Sequence, residues 1–241
     1  ALIELNRPQN ANRLEPSDLV ALQRLVEECE SSDEVRVLVL GGRGNYFSAG
    51  FDLRALSSSL QSGARSNAGD NAFEAVADRL DNTRLVTIAA LNGPVLGGAT
   101  DLALACDFRL GATDVYMQMP AARFGLPLYA GALQRYVSRM GLNNAKRLVL
   151  MAERIGAAEM LNMGYLTELV DQSQALAKSI SKAEHLAAMP PKSLGAMKRV
   201  LNAAAVGTGT GQEQRASLAE AFDPEEILRN LAASQASRRK G

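Results

Sequence analysis

Two runs, Val35–Leu40 (VRVLVL) and Leu85–Leu91 (LVTIAAL), are almost free of polar residues and rich in β-branched side chains. A strand with one face in water alternates apolar and polar residues. Runs like these need cover on both faces, which is the condition of a parallel sheet flanked by helices. The neighbouring sequence supplies such helices. Leu19, Leu22, Val26 and Cys29 fall at helical spacing behind Ser17, which reads as the N-cap, and Phe73, Val76 and Leu80 mark a second helix ending near Asn82. Leu2–Leu5 and Asp107–Ala112 read as further strands, Val115–Met119 as a short one and Gly97–Cys106 as a short helix. The alternation predicts an α/β fold with a mainly parallel sheet. From Gly131 onward the pattern is almost entirely helical, with helices expected near 131–140, 143–151, 157–163, 173–188, 191–205 and 212–222. The expected organisation is a core over residues 1–172, its N-terminal strand truncated, and a C-terminal helical region over 173–241. Residues 57–71, rich in Ser, Gly and Asn, read as a mobile surface loop.

Composition narrows the function. At 47% apolar and 22% charged over 241 residues, the chain is not a disordered one. Its 26 basic and 26 acidic side chains cancel, which argues against a nucleic-acid or anionic-membrane binder. Cys29 and Cys106 show no CxxC spacing and are too few for a disulfide framework, so a reducing, cytoplasmic setting is expected. The single histidine, His185, excludes a multi-histidine metal site; it lies in a predicted helix, where a surface position is expected. No metal and no permanently bound cofactor are expected. The longest charge-free stretch, Leu85 to Thr100, is broken by Asn92, Gly93 and Pro94 and is shorter than the roughly 20 residues of a membrane span. Ala1 opens directly into LIEL rather than into a signal peptide, and the lack of an initiator Met points to a missing native start.

Two glycine-containing turns follow the two buried strands: Phe47-Ser48-Ala49-Gly50-Phe51-Asp52-Leu53, and Asn92 through Leu102 (NGPVLGGATDL). Ligands of parallel sheets gather beyond the carboxyl ends of strands. Glycine lets the backbone approach a ligand closely, and Gly97-Gly98 opening a helix aims free N–H groups at an anion or a developing oxyanion. Neither turn matches GxGxxG or GxxxxGK[ST], so a nucleotide phosphate cradle is disfavoured. Each turn alone is ordinary turn chemistry; their order and separation carry the signal.

In these segments the chain resembles the enoyl-CoA hydratase/isomerase (crotonase) superfamily. LNRPQNAN, YFSAGFDL, NGPVLGGATDLALACDFR and AARFGLPLYAGALQRYVSRMG resemble four of its motifs in the right order, and PKSLGAMKRVL resembles the helix that follows. The resemblance implies a crotonase-like spiral of ββα turns with a C-terminal helical trimerisation region, assembled as a homotrimer or a dimer of trimers. It also implies an acyl-CoA thioester substrate of fatty acid metabolism, with coenzyme A present as part of the substrate. By the same resemblance the Phe51 and Gly98 amides form an oxyanion hole, and backbone at Ala49, Gly50, Asp52, Leu53 and Gly97 holds the coenzyme A portion. An enolate places its charge on the thioester oxygen, where two preorganised donors stabilise it in the transition state.

The departures concern the acid–base groups. The first catalytic glutamate of the hydratases maps to Asp101, three residues beyond Gly98 and so on the same helix side. Asp101 can act as a general acid or base, or serve only as an acidic residue of a helix first turn. The second glutamate maps to Ala121, which cannot transfer a proton. An aspartate at the first position resembles the dienoyl-CoA isomerase branch, but a further carboxylate of that branch maps to Tyr129. Tyr129 can donate a hydrogen bond, move a proton or merely pack. Arg123 either fills space near the lost glutamate or belongs to the surface, and Lys192 and Lys198 either meet coenzyme A phosphates or form a solvated helix face. Isomerisation needs one base that removes a proton and returns it elsewhere, so it suits this chain better than hydration. The alternative is a catalytically silent acyl-CoA-binding homologue.

Overall fold

The computed structural model describes residues 1–52, 57, 68–171 and 173–238. A five-stranded parallel sheet runs in the order β1 (Leu2–Leu5), β2 (Val37–Gly42), β3 (Val86–Leu91), β5 (Phe108–Ala112) and β8 (Glu168–Val170). A smaller sheet joins β4 (Val95–Leu96) in parallel to β6 (Tyr116–Gln118), which pairs antiparallel with β7 (Ile155–Gly156). The helices are α1 (Pro16–Ser31), α2 (Ala68–Asn82), α3 (Ala99–Leu104), α4 (Ala130–Met140), α5 (Leu142–Leu150) and α6 (Ala157–Asn162). After β8 come α7 (Ala175–Ala187), α8 (Pro191–Val206), α9 (Gly211–Glu220) and α10 (Pro224–Arg238).

The apolar runs produce this arrangement through the two-residue period of a strand. Leu38, Leu40, Ala89 and Leu91 point to one face, where α1, α2 and α3 supply Leu19, Val26, Phe73, Leu80 and Leu102. Val37, Val39, Val86, Ile88 and Ala90 point to the other face, covered by α7 and the start of α8. All six residues of β3 are buried as a result. The register Val37↔Val86 to Gly41↔Ala90 brings the carboxyl ends of β2 and β3 side by side, so the two glycine turns emerge together.

Several expectations need correction. The strand read at Val35–Leu40 is Val37–Gly42. Ser17 lies inside α1; the helix starts at Pro16 behind Glu15, whose N–H donates to Asp18 Oδ2 at 2.8 Å. The stretch beyond Gly131, expected to be almost entirely helical, also holds β7 and β8. Both are two or three residues long, too short to show a period in sequence. Helix α10 was not expected. Of the expected mobile loop, residues 58–67 lie outside the described residues, and residues 68–71 belong to α2. Residues 207–210 link α8 to α9. No helix among the described residues is long and apolar enough to cross a membrane.

Lys198 departs from both expected roles. It is 7% exposed, its Nζ donates to the Leu80 and Leu85 carbonyls, and it pairs with Asp107 at 2.9 Å. It pins α8 to the end of α2 and the start of β3. Removing one partner of a buried pair leaves the other charge uncompensated. Lys198→Met is expected to lower the unfolding free energy by about 3–5 kcal/mol, read from the urea midpoint at unchanged m-value.

Candidate active site

The two glycine turns are zipped together. Ser48 bridges in parallel to Val95, and Leu96 N donates to Ser48 O at 2.9 Å. On the other flank, Ala49 N donates to Ala11 O, Leu14 N to Gly50 O and Asp52 N to Leu14 O. The Ser48 hydroxyl ties the loop to itself, accepting from Gly50 N at 3.0 Å and donating to Asn12 O at 2.7 Å. Gly50 makes the fit possible. It sits at φ +78°, and a Cβ there would lie 2.5 Å from Leu96 O and 3.0 Å from Gly98 N. Only a residue without a side chain satisfies both the left-handed conformation and the contact.

Within this zip, Ala49, Gly50, Asp52 and Gly97 are brought together, with Gly97 N held by Gln118 O at 2.9 Å. Leu53 lies outside the described residues. Among the described residues, the Phe51 and Gly98 amides donate no hydrogen bond. Phe73 of α2 touches both positions. Its ring meets Phe51 edge-on at a centroid distance of 6.0 Å, and a Cβ on Gly98 would fall 2.8 Å from that ring. Its sequence signal was only that of a helix core residue.

Asp101 projects from α3 and is 1% exposed. Arg135 of α4 grips it with a two-pronged fork, Nε to Oδ1 and Nη2 to Oδ2, both at 2.8 Å. The Tyr129 hydroxyl donates to Oδ2 at 2.5 Å. Arg135 Nη1 in turn reaches Asp78 of α2 at 2.6 Å. Burial alone pulls the Arg135 pKa down, but its bonds to Asp101 and Asp78 outweigh this and hold it charged. Burial, the Asp101 charge and the bond to it push the Tyr129 phenol far above its ordinary value, so Tyr129 stays a donor. The neighbouring Thr100 fixes α3: its hydroxyl lies 2.6 Å from Tyr136 Oη, and Tyr165 Oη donates to its carbonyl at 2.9 Å.

Arg135 was missed in sequence, yet a signal existed. Ala132, Tyr136 and Met140 form the buried stripe of α4, and Arg135 is buried beside it, three residues after Ala132. A guanidinium on a buried stripe requires an anion. Ala121 opens the turn Ala121–Phe124 and is half-buried, packed with Leu128 and Tyr129 against the main core. Arg123 belongs to the exposed surface and donates to Ala152 O at 3.0 Å. His185 and Lys192 are exposed, on α7 and α8. Met117 and Met119 are core residues. Cys106 is fully buried, and burial pushes its thiol up to about 12.

The site thus combines two main-chain amides that donate no hydrogen bond among the described residues with a buried carboxylate on the short helix that Gly98 precedes. No group of three or more metal-ligating side chains occurs among the described residues. A sequence model of the enoyl-CoA hydratase/isomerase family matches residues 1–228, and the chain belongs to that family. It is 32% identical over 210 residues to a probable enoyl-CoA hydratase of Mycobacterium leprae, covering 83% of this chain and 78% of the relative. It is 27% identical over 208 residues to the peroxisomal Δ(3,5)-Δ(2,4)-dienoyl-CoA isomerase of Arabidopsis thaliana, with 82% and 75% covered. The crystal structure of an enoyl-CoA hydratase from Bacillus anthracis superposes with a TM-score of 0.84 at 27% identity, covering 99% of this chain and 92% of that one. The fold is accordingly the crotonase-like spiral.

Two outcomes follow from the buried network. Arg135→Leu and Asp101→Asn are each expected to lower stability by about 3–5 kcal/mol, and the double variant by clearly less than their sum in a denaturation cycle. Tyr129, Tyr136 and Tyr165 all carry raised folded-state pKa values, each chiefly through burial. A raised value means the folded state holds the proton more tightly. Their contribution is therefore complete below the ordinary phenol value of 10.0 and is lost as the pH climbs above it. Ultraviolet titration should show three of the five tyrosines ionising only together with unfolding.

Proposed function

We propose that this chain is an acyl-CoA thioester enzyme that stabilises a thioester enolate and moves a proton along the acyl chain, as an isomerase does. The observation that carries this reading is that the Phe51 and Gly98 amides, on the two turns joined by the Ser48–Leu96 zip, donate no hydrogen bond among the described residues. The thioester oxygen would accept from both. As a base removes a proton from the acyl chain, the electron pair moves onto that oxygen, where the two donors act most strongly. Returning the proton at another carbon completes a shift of the double bond. Water is not consumed, so the carboxylate missing at Ala121 is not required.

Asp101 is the proton-transfer group of this proposal, and its three bonds define how it works. Oδ2 accepts two of them and Oδ1 one, so a proton can be taken at Oδ1 or, once a bond opens, at Oδ2. The Arg135 fork is anchored from behind by Asp78, whereas the Tyr129 hydroxyl turns freely about its C–O bond. Tyr129 is thus the partner that swings away and back, holding Asp101 ready between turnovers. Ala49, Gly50, Asp52, Leu53 and Gly97 provide the backbone against which the coenzyme A portion lies. The assembly we propose is a homotrimer or a dimer of trimers, supported by apolar side chains left exposed along the C-terminal helices, Leu201 at 69%, Phe222 at 67% and Leu228 at 66%. Cys29 and Cys106 are both free thiols, which supports a reducing, cytoplasmic setting.

A second reading is favoured by one observation. Both Asp101 oxygens are already engaged and Ala121 offers no second carboxylate, as suits a catalytically silent acyl-CoA-binding homologue. Isotope exchange separates the two. In deuterium oxide, a panel of enoyl- and dienoyl-CoA thioesters should gain deuterium on the acyl chain with the wild-type protein. Asp101→Asn should slow this by roughly 100-fold or more, and Tyr129→Phe by a smaller factor. Saturable thioester binding without deuterium uptake would leave the silent homologue standing. Exchange untouched by Asp101→Asn would remove Asp101 from the mechanism.

A further inference from the structure

Each of the two candidate donor amides shares a peptide unit with a carbonyl: Phe51 N–H with Gly50 C=O, and Gly98 N–H with Gly97 C=O. A trans peptide is planar and its N–H and C=O point in opposite directions, so whatever holds the carbonyl also aims the amide. Gly50 O accepts from Leu14 N at 2.8 Å, a bond made by the main chain alone. Gly97 O accepts twice from one residue, from Thr100 N at 3.0 Å and from Thr100 Oγ1 at 2.7 Å. Gly97 N donates to Gln118 O at 2.9 Å, so the chain is held on both sides of Gly97, which sits at φ +55°. The bond from Thr100 N by itself closes the turn at Gly97. The bond from the hydroxyl closes nothing further; it stops the peptide plane from rocking.

Thr100 is fully buried, and its hydroxyl meets one further group, Tyr136 Oη at 2.6 Å. A hydroxyl has a single proton to give. With that proton on Gly97 O, the bond between the two hydroxyls runs from Tyr136 to Thr100. Tyr136 is fully buried as well, and burial, reinforced by the Asp101 charge, pushes its phenol well above the ordinary value. Its proton therefore stays available to donate. Tyr165 Oη donates to Thr100 O at 2.9 Å and fixes the main chain of the same residue. The order of donation is Tyr136 Oη to Thr100 Oγ1 to Gly97 O, and it ends on the peptide unit that carries the Gly98 amide.

We propose that Thr100 is a positioning residue for the Gly98 amide, with Tyr136 setting the direction of the Thr100 proton. The proposal rests on the thioester reading given above. Charge developing on the thioester oxygen meets a donor whose direction is set beforehand, and donors that need no reorientation act most strongly. The two amides are unequal in this respect. Main chain aims Phe51, whereas a side chain aims Gly98, so only the second can be misdirected by removing a hydroxyl.

The test is isotope-edited infrared spectroscopy of the full chain with hexanoyl-CoA carrying heavy carbon at its thioester carbonyl. A carbonyl that accepts hydrogen bonds has a weakened C=O bond and absorbs at lower frequency. The wild-type protein is expected to shift the bound carbonyl below its frequency in water. Thr100→Val keeps the side-chain shape without the hydroxyl and is expected to lose up to about half of this shift, since one of two donors is misdirected. Thr100→Ser, which restores the hydroxyl but lacks the methyl group, is expected to recover it. A hydroxyl that merely stabilises the start of α3 would lower the melting temperature of Thr100→Val and leave the carbonyl frequency of the folded protein unchanged, and that result overturns the proposal. If Thr100→Val does not fold, Tyr136→Phe decides, because it frees the Thr100 hydroxyl to rotate: a reduced shift supports the proposal and the wild-type frequency overturns it. A wild-type protein that leaves the carbonyl unshifted, or takes up no hexanoyl-CoA, removes the thioester reading and this proposal with it. A wild-type shift that Thr100→Val retains in full removes the proposal alone.

Discussion

The hydrogen-bonded zip between the turn after β2 and the turn after β3 is the contact on which the candidate site depends. Leu96 N reaches Ser48 O only because Gly50 has no side chain to strike Leu96 O, and because the strand register delivers both turns to one edge. Once the turns are joined, the Phe51 and Gly98 amides are left without an acceptor among the described residues. Backbone donors fixed in this way need no reorganisation when charge develops on a ligand. Phe73 adds a shared apolar wall, so α2 is packed to the loops by the same residues that shape the site.

The Asp101–Arg135 pair is the second constraint. A carboxylate at 1% exposure is tolerated because a two-pronged guanidinium and a phenol meet both of its oxygens. The pair also links elements distant in sequence: Asp101 on α3, Arg135 on α4 and Asp78 on α2. This network orders the helices around the zip and at the same time limits what Asp101 can do.

The fold was largely legible in the sequence because its strands are buried on both faces, and a run of β-branched residues has few other solutions. The short strands β7 and β8 escaped because two or three residues carry no period; they exist only through pairing with β6 and β5. The glycine turns were legible as motifs, and their meeting at the Ser48–Val95 bridge is a matter of register. Arg135 and Lys198 escaped for a different reason. Both look like surface cations on helices, and only the packing of those helices buries them against Asp101 and Asp107.

By itself, then, the sequence determined the class of fold and the position of the two turns. These follow from local properties: apolar runs and glycines. Tertiary structure alone decided the state of the remaining groups. Whether Asp101 stands free or is held by a fork, and whether Lys198 is solvated or buried against Asp107, depends on side chains from separate elements meeting in space. Electrostatic partnership is set by distance and burial, and neither is written in the order of the residues.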